Sequence, residues 1–168
     1  MASRITNGTL TVTITEALTL ADADTNDHGV SATNVLSLPN IDEVVKRVVE
    51  IPTSEVGLLG FYSGTMIAAG YLAGQFDEAN VRYIRITNKD DTNHVMLTFK
   101  TEGSAEFAVM LDSDNSFIYC CDTRDGAGVV NTVDAHNAAQ THSLEDLVDI
   151  TALASSAPVD LEVFVAST

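Results

Sequence analysis

Two-residue alternation is the feature that most constrains this chain. In Thr9-Leu10-Thr11-Val12-Thr13-Ile14-Thr15 every second residue is apolar, so Leu10, Val12 and Ile14 share one face of an extended strand and the threonines share the other. A helix would scatter that pattern around its circumference, because its side chains repeat every 3.6 residues. The alternation returns with Ile84 and Ile86, then with Val95, Leu97 and Phe99, then with Phe107, Val109 and Leu111, and residues 116–120 follow as a fourth strand. Polar turns at 88–93, 102–104 and 112–115 separate these runs. Strands at such short, regular spacing predict a sandwich or barrel, with Ile84, Ile86, Val95, Leu97, Phe99, Phe107, Val109 and Leu111 in its core.

The remaining segments fit the same class. Residues 22–29 form a polar loop. Residues 35–38 read as a short strand stopped by Pro39-Asn40, and the Val-rich residues 43–51 as a strand, since β-branching outweighs a helical reading. Residues 56–76 are small and Gly-rich, suited to short buried strands or a packed loop through Phe61, Met66, Ile67, Tyr71 and Leu72. Residues 122–143 lose the pattern and form a long polar loop, with room for a helical turn at 134–139. Residues 144–153 and 159–165 close the chain as two strands. No internal repeat and no second domain is visible. The expected fold is all-β: one domain over residues 1–168, a β-sandwich or jelly-roll-like architecture with a long polar loop at about 122–143.

Charge narrows the partners. Twenty-four Asp and Glu face eight Lys and Arg, a formal net charge of -16. Phosphate backbones and anionic lipids repel such a surface, and Lys46-Arg47 is the densest basic cluster, so neither nucleic acid nor membrane is expected as a partner. The most apolar stretch, 56–76, is interrupted by Ser63, Thr65 and five glycines. Met1-Ala2-Ser3-Arg4 leads into alternating Thr and Val/Ile and not into an apolar leader. The adjacent Cys120 and Cys121 point to opposite faces of a strand and do not make a disulfide framework, which suits synthesis in a reducing cytoplasm. One of the two is expected to face the core.

The chemical constellations are weak. Asp22, Asp24 and Asn26 open like a calcium loop, but Asp27 stands where that loop needs Gly and Thr33 where it needs Glu. His136 and His142 lie six apart without a cysteine pair, and His94 reads as a surface residue. Neither Cys120 nor Cys121 sits in a nucleophile motif, and there is no G-x-S-x-G, H-E-x-x-H or phosphate-cradling glycine loop. The absence of Trp counts against a sugar cleft, although Tyr62, Tyr71, Tyr83 and Tyr119 leave one open. Arg124-Asp125-Gly126 reads as a turn. No enzyme, metal or cofactor is expected.

The run from Gly74 to Val95 contains Tyr83-Ile84-Arg85-Ile86-Thr87-Asn88 followed by Asp90-Asp91-Thr92-Asn93. It resembles a pattern in small virion structural proteins of tailed bacteriophages, notably those of marine and cyanobacterial hosts, where a Y-x-R-I-T-N strand leads into a D-x-x-N turn and a new strand. Residues 106–111, 116–118 and the ending 157–166 fit the same scheme, so the resemblance lies mainly in 74–120 and 157–166. It implies a virion component with no catalytic residues to carry over, made in the host cytoplasm. The expected function is a head decoration or cement protein that binds the capsid shell. The alternatives are a tail- or fibre-associated protein, or a receptor- or carbohydrate-binding module. Other virion proteins, of shell or tail, are the expected partners, and a homo-oligomer the expected state. The long loop supplies the candidate interface residues Ala127, Val129, Val130, Val133, Ala135 and Ala138, an apolar group on an otherwise charged stretch.

Overall fold

The computed structural model describes residues 7–20, 28–62, 75–101, 105–120, 128–131 and 143–168. They are nearly all β-strand. In chain order the strands are β1 (Gly8–Leu20), β2 (His28–Ile41), β3 (Glu43–Ile51), β4 (Val56–Tyr62), β5 (Gln75–Asp77), β6 (Val81–Asn88), β7 (Val95–Thr101), β8 (Glu106–Leu111), β9 (Ser116–Cys120), β10 (Gly128–Asn131), β11 (Ser143–Ala154) and β12 (Val159–Ser167). The 3-10 turn Glu78–Asn80 is capped by Asp77, whose carboxylate accepts the Ala79 amide. The all-β class read from the sequence is what the chain adopts. The described residues group into two compact units, Met1–Asp42 and Glu43–Thr168.

The first unit is a two-stranded antiparallel ribbon in which Leu10 faces Leu38, Val12 faces Leu36 and Ile14 faces Asn34. Pro39-Asn40 does not end β2, as the sequence suggested. The register shifts between Gly8 and Leu10, so one residue of β1 stands against two of β2, and Asn40 takes a φ of 61°. This is a bulge: Asn tolerates the left-handed backbone, and the missing amide of Pro39 falls where ladder pairing is already broken.

The second unit holds two sheets. A four-stranded sheet runs β3-β12-β6-β9, and a six-stranded sheet runs β5-β4-β11-β7-β8 with β10 also paired to β11. Strand alternation sends one face of each sheet into a common core. Ile51, Ile84, Ile86, Leu161 and Val163 come from the first sheet, and Leu59, Val95, Leu97, Phe99, Leu147 and Ile150 from the second. Local irregularities adjust the phase. Opposite Ile150 and Thr151 of β11, Leu58 is an extra residue on β4, which lets both Leu58 and Leu59 be buried. Arg82 is the extra residue on β6, which returns Val81 to the inner face already held by Ile84.

Turns at one end are tied to each other. Asn88 is buried, and its Nδ2 donates to the Asn93 carbonyl at 2.8 Å and to the Leu111 carbonyl at 3.3 Å. Its Oδ1 accepts the Asp90 amide. The Asp90 carboxylate in turn accepts the Thr92 and Asn93 amides at 2.8 and 2.6 Å. Asp114, at φ 58°, donates its amide to the Asp90 carbonyl, and the Lys89 amide reaches Asp160. With the Ser155 amide donated to the His94 carbonyl, the β6–β7, β8–β9 and β11–β12 turns are joined.

Of the residues expected in the core, Ile84, Ile86, Val95, Leu97, Phe99 and Leu111 are buried and Val109 is partly so. Phe107 is not: it is 42% exposed. It stands opposite Phe99 on β8, the last strand of its sheet, and its ring stacks on Phe99 at 4.6 Å, which covers one ring face and leaves the other bare. The long polar loop at about 122–143 is also corrected. β10 lies inside it and pairs antiparallel with β11 from Gly128 opposite Asp146 to Asn131 opposite Ser143. Most of 56–76 and the proposed helical turn at 134–139 lie outside the described residues.

Candidate interaction surface

Bare apolar groups lie on more than one surface formed by regular strands. The first is one face of the β1–β2 ribbon, built by Leu10, Val12, Ile14, Glu16 and Leu18 of β1 with Leu38, Leu36, Asn34 and Ala32 of β2. Burial declines along it: Leu38 is 3% exposed, Leu36 37%, Ile14 44% and Leu18 53%. On the opposite face Thr11, Thr13, Thr15 and Val35 are exposed as well. Two-stranded ribbons have no second layer of their own and are marginal in water. Apart from His28, Glu16 is the one ionisable residue in β1 and β2. In a chain with 24 carboxylates, a stretch this poor in charge and this rich in bare aliphatic side chains is suited to contact.

The second surface is the outer face of the four-stranded sheet. Register places Val44, Ala166, Tyr83 and Cys120 in one row, Lys46, Phe164, Arg85 and Ile118 in the next, and Val48, Glu162, Thr87 and Ser116 in a third. Glu162 binds Lys46 at 3.1 Å and Arg85 at 2.7 Å, so its carboxyl is held below the usual range, chiefly by Lys46. Arg85 lies 5.9 Å from the Phe164 ring centroid, and Tyr83 meets that ring edge-on. Burial pushes the Tyr83 hydroxyl up. Val44, Val48 and Ile118 remain exposed around this locked centre.

Across the other sheet, Lys100 donates to Glu55 at 2.8 Å and lies 4.0 Å from Glu106, and the Thr151 hydroxyl donates to the same Glu55 oxygen at 2.6 Å. Lys100 lowers the Glu55 pKa and is itself raised by Glu55, whereas burial raises Asp149. The network ties the start of β4 to β7 and β11. No group of three or more His, Cys, Asp and Glu side chains among the described residues could hold a metal ion. Five of the eight cations are engaged internally: Lys46 and Arg85 with Glu162, Lys100 with Glu55, Arg82 with the Ala79 and Val81 carbonyls, and Arg47 with the Leu58 carbonyl. The field facing solvent is therefore dominated by carboxylates.

Of the interface residues suggested by sequence, Val129 and Val130 lie on β10, in register with Glu145 and Leu144. Ala127, Val133, Ala135 and Ala138 lie outside the described residues, as do Asp22, Asp24, Asn26, Cys121, His136 and His142. His94 is exposed at a turn, and Cys120 is exposed on the outer sheet face with its thiol raised by burial. A raised thiol holds little thiolate at neutral pH and is a poor nucleophile. Sequence reasoning saw the apolar face of β1 but missed its partner. The signal was there in Leu36 and Leu38, which share a phase, but Asn34 and Pro39 broke the run.

With this geometry in hand, comparisons with protein-family models, curated proteins and solved structures find no match. The functional reading rests on the residues themselves.

Proposed function

We propose that this chain is a non-enzymatic structural protein of a tailed-phage particle, a head decoration protein that docks on the capsid shell. The observation that carries the reading is the β1–β2 ribbon, whose apolar face is progressively bared toward Leu18 and nearly free of charge. Such a ribbon reaches stability by laying its face on a partner. The motif at residues 83–93 supports the same reading through its resemblance to virion structural proteins. In this account the second unit is a β-sandwich, with the two sheets as its layers, and acts as a rigid body that the shell displays. The acidic exterior keeps free copies apart and selects a shell surface that is less acidic than the chain itself.

The test is direct. Phage shells lacking the chain are incubated with purified protein and pelleted. Wild-type protein is expected in the pellet at a fixed ratio to the shell subunit. An Ile14→Asp, Leu18→Asp double variant is expected to stay in the supernatant while retaining a β-type far-UV CD spectrum. Wild-type protein left in the supernatant overturns the proposal.

A further inference from the structure

Strand phase and register build the outer face of the four-stranded sheet row by row. In the row of Val44, Ala166, Tyr83 and Cys120, Ala166 and Tyr83 are buried, so the open part of the face begins one row on. The second row holds Lys46, Phe164, Arg85 and Ile118, and the third holds Val48, Glu162, Thr87 and Ser116. A fourth row continues the phase. Glu50 stands opposite Asp160, and the Asp160 carbonyl accepts the amide of Lys89, the residue that follows β6. Lys89 is also among the cations whose field lowers the Glu162 carboxyl, in keeping with the outward phase that runs from Arg85 through Thr87.

Two properties set this face apart. Its middle is bare: Val48 is 60% exposed, Ile118 is exposed, and so is most of the Lys46 side chain. Its charges also balance, with Lys46, Arg85 and Lys89 set against Glu50, Glu162 and Asp160 in a chain of net charge -16. On the other sheet, among the described residues, Lys100 alone is set among Glu55, Glu106 and Asp149. The balanced face is polarised as well. Its second row carries two cations and no carboxylate. The third carries only Glu162, already held by Lys46 at 3.1 Å and Arg85 at 2.7 Å. The fourth carries the other two carboxylates, with Lys89 beside Asp160.

We infer that this face packs on the same face of a second copy of the chain, about a two-fold axis that runs across the strands along the third row. Such an axis sets the second row of one copy over the fourth row of the other. Lys46 then meets Glu50, and Asp160 comes over Phe164 between the Lys46 and Arg85 side chains. Arg85 and Lys89 come opposite each other, but Arg85 holds Glu162 and Lys89 lies beside Asp160. On the axis Val48 meets its own copy, and the two exposed valines cover each other, as inward side chains do where sheets pack face to face. Charge selects this occupant. Two chains of net charge -16 repel wherever carboxylates meet, whereas a face without net charge, whose second and fourth rows complement each other, lets identical copies approach. This pairing uses none of the ribbon strands, so it is independent of shell docking.

The test is the molar mass of the purified full chain by sedimentation equilibrium, over a range of concentration and salt. Wild-type protein is expected to approach about twice the 17.8 kDa chain mass, more readily at high salt as the repulsion between acidic copies is screened. Val48→Asp sets a carboxylate against its own copy on the axis, and is expected to run at the monomer mass with an unchanged far-UV CD spectrum. Lys46→Glu alone and Glu50→Lys alone should each weaken association at least about tenfold. The Lys46→Glu, Glu50→Lys double variant restores opposite charges across the axis and should recover association. All three positions are exposed, so these changes leave the core intact. Met110→Lys, exposed on the other sheet, should leave the wild-type mass unchanged. A monomer under all conditions, a dimer that survives Val48→Asp or is lost in Met110→Lys, or a double variant no better than its single parents overturns the inference. Self-association without shell binding would overturn the proposed function and leave this pairing standing.

Discussion

Asn88 shows how much one turn residue can hold. Its buried amide supplies donors to the carbonyls of Asn93 and Leu111, on two different segments. Asn88→Ala leaves both acceptors without those donors. The expected loss is about 2–4 kcal/mol by urea denaturation, against less than about 0.5 kcal/mol for Ser113→Ala in the neighbouring turn. A loss for Asn88→Ala no larger than that of Ser113→Ala would mean that the clamp does not contribute. Composition identified 88–93 as a turn, but it could not show that Asn88 points inward, because that depends on where the β8–β9 turn arrives. Titration follows from the same local contacts. Asp90, held low chiefly by the Asn93 and Thr92 amides, and Glu162, held low chiefly by Lys46, favour the folded state when ionised. Their contribution is present above the ordinary carboxylate range and is lost as pH falls through their lowered values. Asp149 has the opposite sign: burial raises it, so its contribution is present below the ordinary range and is lost as pH rises through the raised value. Glu162→Gln should therefore flatten the decline of melting temperature below about pH 4, the range in which carboxylates titrate. An acid limb as steep as wild type would contradict the role given to the Lys46–Glu162–Arg85 contact.

At the scale of elements, strand phase was legible and strand ends were not. Residues 43–51 and 116–120 are strands over the expected spans, because alternation and flanking polar residues are local signals. The bulges at Asn40, Leu58 and Arg82 were invisible, since an extra residue exists only relative to a partner strand. β10 was missed for a related reason: four residues carry too little periodicity to stand out from a polar stretch. Edge position also explains the error at Phe107, which has the right phase but sits on the last strand of its sheet. Phe99→Ala should cost about 3–5 kcal/mol, as expected for a buried ring. Phe107→Ala should cost less than half as much by the same denaturation measurement. Equal losses would show that Phe107 is covered in the folded protein. Of the candidate surface, β1 was readable from sequence as a two-faced strand. That the apolar face is bare at Ile14 and Leu18 was not, because burial is a property of the fold.

For the whole molecule, the distribution of charge connects structure to assembly. Five of the eight cations are drawn into internal contacts, while β1, β2, β8 and β9, which expose several apolar side chains, carry only the carboxylates of Glu16 and Glu106. Net charge was plain in the sequence, whereas its segregation emerges only once the strands are paired. Two modes of association with opposite salt dependence follow. Shell attachment, in which an acidic exterior meets a less acidic surface, should weaken between low and high ionic strength, while pairing between identical copies should tighten. Attachment that is unchanged or stronger in high salt would show that the ribbon's apolar face acts alone. The most direct measurement of the central claim is the number of copies of this chain in purified phage particles, by quantitative mass spectrometry against the major shell protein. A decoration protein predicts tens to hundreds of copies in fixed ratio to the shell subunit, retained on isolated heads. A handful of copies that separate with the tails, or none in the particle, would contradict it.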